Sequence, residues 1–107
     1  MNAPDDAVLR TIVDRLVDAY QPVRIYLFGS LARGEGSEDS DYDLMVVVRD
    51  DAPAELQRSR RAYEALRGTG TAADVLVWTR SAFDARLHLR ASLPSTVTRE
   101  GKLLYAA

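Results

Sequence analysis

Apolar residues recur through the first part of the chain at three- and four-residue spacing: Val8, Leu9, Ile12, Val13, Leu16, Val17 and Tyr20. That spacing puts them on one face of a helix, predicted over residues 5–20. Asp5 and Asp6 suit its positive N-terminal end, and Pro22 stops it. The pattern then shortens. Residues 23–28 are β-branched and aromatic, close on Gly29, and read as a strand. A turn into a short helical piece over residues 30–33 follows. Residues 34–40 carry two Gly, two Ser and three acids and read as an exposed loop.

Residues 42–48 are nearly all apolar and predict a second strand, ended by Arg49, Asp50 and Asp51. Pro53 suits the first position of a helix, predicted to run to about Arg67 with modest apolar content. Two glycines make residues 68–71 a turn, and residues 73–78 predict a third strand. Ser81 is a candidate N-cap for a helix through residue 90. Pro94 marks a break, residues 95–100 predict one or two further helical turns, and residues 103–105 a short terminal strand. The order predicts an α/β (α+β) fold: a small mixed β-sheet with helices packed on one face.

At 107 residues the chain suffices for one compact domain, expected over residues 1–107. A large substrate would then be completed by groups from outside. Composition narrows the chemistry. With no Cys and one His, His88, thiolate and His-rich metal sites are excluded, so any metal is held by oxygen. Fourteen Lys and Arg against sixteen Asp and Glu leave a net charge of −2, which gives no global case for direct nucleic-acid binding. Neither a leader-like N-terminus nor a membrane-length apolar run is visible, so the expectation is a cytoplasmic protein with no membrane contact.

The chemistry concentrates in residues 27–44. Alternate residues of a strand share a face, so Asp41 and Asp43 are expected side by side while Tyr42 and Leu44 point the other way. Two carboxylates placed together repel. A divalent cation resolves the conflict, because Mg²⁺ prefers hard oxygen ligands and is commonly held by carboxylates and substrate phosphates. Asp74 opens the third strand; if that strand lies beside the second, three carboxylates meet at one edge, enough for two metal ions about 3.5–4 Å apart. Gly29 permits close backbone approach, amides at a helix start point at anions, and Ser30 adds a hydroxyl. Arg33, one turn on, is a candidate phosphate or partner contact.

Each feature also has a plainer explanation. Asp41 and Asp43 could be solvated acids at a strand end, Gly29 a turn glycine, Ser30 an N-cap, Asp74 a strand-start residue and Arg33 half of a surface ion pair. His88, between Leu87 and Leu89, reads as a partly buried structural histidine, Trp78 as core, and Arg58, Arg60, Arg61 and Arg67 as a solvated helix face.

Gly29 and Ser30, ten intervening residues, then Asp41-Tyr42-Asp43 resemble the GSx10DxD signature of the DNA polymerase β-like nucleotidyltransferase superfamily, in the form of its minimal nucleotidyltransferase (MNT) branch. Residues 74–77 resemble that family's third-carboxylate strand, and residues 97–105, with Glu100-Gly101 and Leu104-Tyr105, its usual C-terminal stretch. The resemblance implies that Gly29 and Ser30 bind the triphosphate of ATP, that Asp41 and Asp43 ligate Mg²⁺, and that Asp74 is a third ligand and the base for the accepting hydroxyl. It also implies a HEPN-domain toxin as partner, with a toxin tyrosine as the AMP acceptor and antitoxin action as the outcome. The alternatives are an antitoxin that neutralises its partner by binding alone and a subunit of a small-molecule nucleotidyltransferase.

Overall fold

The structure is a computed structural model that describes residues 6–34, 41–70 and 72–107. The expected helix start at Asp5, residues 35–40 of the expected loop and Thr71 of the expected turn lie outside the described residues. The first helix, α1 (Asp6–Tyr20), follows the apolar spacing closely: Leu9, Ile12, Leu16 and Tyr20 are buried. It is followed by β1 (Arg24–Phe28), β2 (Tyr42–Val48), a 3-10 turn (Ala54–Gln57), α2 (Arg60–Ala65), β3 (Ala73–Thr79), α3 (Arg80–Ala85), α4 (Leu93–Glu100) and β4 (Lys102–Ala106).

The four strands form one mixed sheet in the order β3-β2-β1-β4. β1 pairs antiparallel with β2 and with β4, while β2 pairs parallel with β3. β2 is thus flanked on both sides, and its residues from Leu44 to Val48 are fully buried. A strand covered on both faces needs no polar alternation, which is why this segment reads as a continuous apolar run.

That run accounts for one difference from expectation. The mixed sheet is as predicted, but helices cover both faces instead of one. On the first face, Ile25, Leu27, Leu44, Val46, Val48 and Val75 pack with Leu9, Ile12, Leu16 and Tyr20 of α1 and Ala62 of α2. On the second, Tyr26, Met45 and Val47 pack with Phe83 of α3 and Val97 of α4. Phe83 stacks on Tyr26 with ring centroids 5.6 Å apart and takes the edge of Trp78 at 6.5 Å. The Arg24 guanidinium lies 5.3 Å from the Phe83 ring centre and 2.9 Å from Asp84, closing the outer side of this cluster. Apolar residues of both parities in β1 and β2 require two covers.

The helices after β2 are shorter than predicted. The helix expected over residues 53–67 is divided by Arg58, which is extended at φ −124° and ψ 154°. Its carbonyl accepts a hydrogen bond from the Tyr20 hydroxyl at 2.5 Å, and the preceding 3-10 turn buries nothing that would favour a continuous helix. Arg15 of α1 donates to the carbonyls of Ala65 and Arg67 at 3.3 and 2.9 Å, satisfying groups at the end of α2. α3 starts straight from β3: Thr79, not Ser81, is its N-cap and accepts from the Ala82 amide at 3.3 Å. It ends at Ala85, so His88 lies beyond it and is exposed, contrary to the partly buried position expected. Ser92 caps α4, with Pro94 inside its first turn instead of breaking the chain before it. Among the described residues no helix is long and apolar enough to cross a membrane.

Truncating Phe83 to Ala removes the aromatic centre of the second cluster, and urea denaturation should show a loss of about 3–5 kcal/mol. Tyr20→Phe, which removes only the hydroxyl bonded to Arg58, should cost about 1 kcal/mol in the same measurement.

Candidate active site

β1 runs into Gly29 at the end of the sheet where β2 begins, with Phe28 opposite Asp43. Gly29 has φ +78°, a left-handed conformation that side chains disfavour, and a Cβ built on it would collide with the Asp43 carboxylate. Two independent constraints therefore require glycine: the backbone turns sharply, and an acidic side chain lies directly against it. The chain continues through one turn, in which the Arg33 amide donates to the Gly29 carbonyl at 3.2 Å and Gly34 to Leu31 at 3.3 Å. The short helical piece expected over residues 30–33 is this single turn. Ser30 is half-buried at its start.

The parallel register of β2 and β3 sets Asp43 beside Asp74. Both share the face of Met45, since Leu44 and Val75 lie in the opposite cluster. Asp41 immediately precedes β2, two residues ahead of Asp43, and is exposed. Burial, Asp74 and Asp41, in that order, push the Asp43 carboxyl above its ordinary value, while the positive charge of Arg33 opposes the rise. Gly29, Ser30, Arg33, Asp41, Asp43 and Asp74, distant in sequence, thus meet at one end of the sheet.

The expected convergence of the three carboxylates is electrostatic. Among the described residues no three acids or histidines are drawn together as a closed set of cation ligands. The donor set still suits a hard divalent cation: all oxygen, three potential carboxylates, and one of them, Asp43, held by burial where its ionised form is disfavoured until positive charge is supplied.

Support comes from the C-terminal stretch. Arg33 approaches Glu100 at 3.8 Å, tying the turn after Gly29 to the end of α4. A Cβ on Gly101 would lie 2.5 Å from the Val97 carbonyl oxygen and 2.6 Å from that of Leu27. The end of α4 therefore presses on the end of β1, one residue before the Phe28-Gly29 step. The Glu100-Gly101 pair is visible in the sequence, but its mechanical part is legible only once α4 and β1 are seen to cross.

A family model described as the nucleotidyltransferase domain matches residues 9–103. Among proteins of curated function none matches significantly. Solved structures do. A protein from Sulfolobus solfataricus assigned as a nucleotidyltransferase superposes with TM-score 0.62 at 19% identity, covering 94% of this chain and 78% of the other. A toxin–antitoxin structure with AMP-PNP gives TM-score 0.63 at 24% identity, over 92% of this chain and 73% of that one. A mutant of the toxin–antitoxin MntA-HpeT gives 0.62 at 22%, with the same coverage. At such identities these three establish likeness of fold.

Asp43→Asn removes one of two carboxylates placed directly side by side, so in chelator at neutral pH it should stabilise the protein by about 0.2–1 kcal/mol. The sign follows from linkage. A carboxyl raised in the folded state costs stability when ionised, and that cost disappears as pH falls below the ordinary carboxylate range. The advantage of Asp43→Asn in thermal unfolding should therefore vanish in acid. Gly101→Ala should lose about 1–3 kcal/mol, because the added methyl meets backbone on both sides.

Proposed function

This chain belongs to the nucleotidyltransferase domain family, and on that premise we propose that it transfers AMP from ATP to a hydroxyl, acting as an antitoxin on a partner protein. The observation that supports this most is the register that puts Asp43 beside Asp74 while the Asp43 carboxylate rests against the backbone of Gly29. Phosphate-facing backbone and paired acids then border one another. Such transfer asks little covalent chemistry of a protein and depends on positioning and charge.

Asp41, Asp43 and Asp74 are the residues that would hold Mg²⁺, most simply as two ions. Bound there, the metal supplies positive charge that polarises the α-phosphate and lowers the pKa of the accepting hydroxyl. The chain provides the rest. Amides of the Gly29-Ser30 turn and the Ser30 hydroxyl hold the β- and γ-phosphates, and glycine at 29 keeps that approach open. Arg33, anchored by Glu100, adds positive charge on the same side. Asp74, exposed at the outer strand, takes the acceptor proton. The acceptor oxygen bonds to the α-phosphorus, the bond to the bridging oxygen breaks, and pyrophosphate leaves.

The acceptor we favour is a tyrosine of a HEPN-domain toxin. Two of the similar folds are toxin–antitoxin structures, one of them with AMP-PNP and another a mutant in which two aspartates two positions apart are glutamates. That spacing is the spacing of Asp41 and Asp43. The same reading has the protein work in the cytoplasm, where ATP is supplied.

ATP labelled at the α-phosphate, Mg²⁺ and the protein encoded by the adjacent gene should yield label on a tyrosine of that protein. Asp41→Asn with Asp43→Asn should lower the rate by at least about 100-fold. Tight complex formation without label at any time would replace transfer with neutralisation by binding alone. Mg²⁺ with nucleotide should raise the unfolding midpoint of the wild type and leave that of the double variant unchanged.

A further inference from the structure

The candidate site is asymmetric. Gly29 lies at the end of β1, Asp43 on β2 and Asp74 on β3, and β3 is the outermost strand on that side. Neighbouring strands are about 4.8 Å apart, so the three positions form a row leading from the phosphate-facing turn to the edge of the sheet. If the donor's phosphates take the Gly29 end, the acceptor enters over β3.

What it meets there is Leu76. Leu76 follows Asp74 by two residues, so both side chains stand on one face about 6.7 Å apart along the strand. Its register partner Met45 is fully buried, yet Leu76 is 40% exposed. The reason is local. α3 starts at the end of β3 and, among the described residues, meets the Trp78 end of that strand through Phe83, while Leu76 stays exposed. A large apolar side chain thus stands between the candidate base and an aromatic ring.

We propose that Leu76 is a specificity residue for the acceptor, packing against the ring of a phenolic hydroxyl as Asp74 takes its proton. This rests on the reading of the site as a nucleotidyltransferase centre. A tyrosine hydroxyl lies a full ring away from its backbone, so with its oxygen at Asp74 the ring has room to lie along β3 over the exposed Leu76. A serine or threonine hydroxyl lies one carbon from the backbone and would bring polar main chain onto the same apolar surface. Leu76 therefore favours aromatic over aliphatic alcohols through desolvation of the ring.

The test uses N-acetyltyrosine amide and N-acetylserine amide as acceptors with α-labelled ATP and Mg²⁺. Wild type should prefer the tyrosine probe. Leu76→Ala should lower kcat/KM for it about fivefold and narrow the tyrosine-to-serine ratio, with KM for ATP unchanged. Leu76→Met should keep the preference, whereas a merely structural role for Leu76 would make Leu76→Ala lower the use of both probes and of ATP together. Equal use of both probes by wild type, or an unchanged ratio in Leu76→Ala, overturns the proposal while leaving nucleotidyl transfer in place. Absence of label on either probe and on any protein hydroxyl overturns the transferase reading and this inference together.

Discussion

β2 is bonded on one side to an antiparallel strand and on the other to a parallel one, and the candidate site depends on what that double pairing does to Asp43. The antiparallel register brings the end of β1 opposite it, and the parallel register brings Asp74 alongside. Asp43 is half-buried, pressed against Gly29, and close to two further negative charges, a position that costs stability. Proteins accept such costs where the arrangement serves a function, and an acidic cluster that becomes favourable only with added positive charge is one physical form of that exchange.

The remainder of the fold keeps this strand from shifting. A one-residue slip of β2 would turn Asp43 and Asp74 to opposite faces, drive Asp43 into the first apolar cluster and exchange Leu44, Val46 and Val48 with Met45 and Val47 between clusters packed for other side chains, so the apolar clusters on both sides enforce the observed register. α4 adds a local restraint: Gly101 lets its end approach Leu27, and Glu100 meets Arg33 just beyond the glycine turn. The end of α4 thus braces the turn at Gly29 and Ser30.

Much of this was legible in the sequence because periodicity is strong where one environment dominates. α1 shows a clean stripe, and β1, β2 and β3 are compact apolar runs with turn residues between them. The paired acids and Gly29-Ser30 could be placed at strand ends from alternation alone. What remained hidden depended on long-range packing. Whether the run in β2 is covered once or twice is not a local property, and Phe83 gives no sign in sequence that it stacks on Tyr26. At the break, the Arg58 carbonyl is met by the hydroxyl of Tyr20, 38 residues earlier. His88 sits between two leucines, yet α3 stops before it and leaves it in solvent. Leu76 looks like one more core residue until β3 is seen to be the edge strand.

The proposed site requires a divalent cation, held by Asp41, Asp43 and Asp74 and shared with a nucleotide. Mn²⁺ titration followed by electron paramagnetic resonance, with and without a non-hydrolysable ATP analogue, tests it most directly. Mn²⁺ binding should strengthen when the analogue is present and be lost in Asp41→Asn/Asp43→Asn. Equal affinity in wild type and double variant, indifferent to nucleotide, would contradict it.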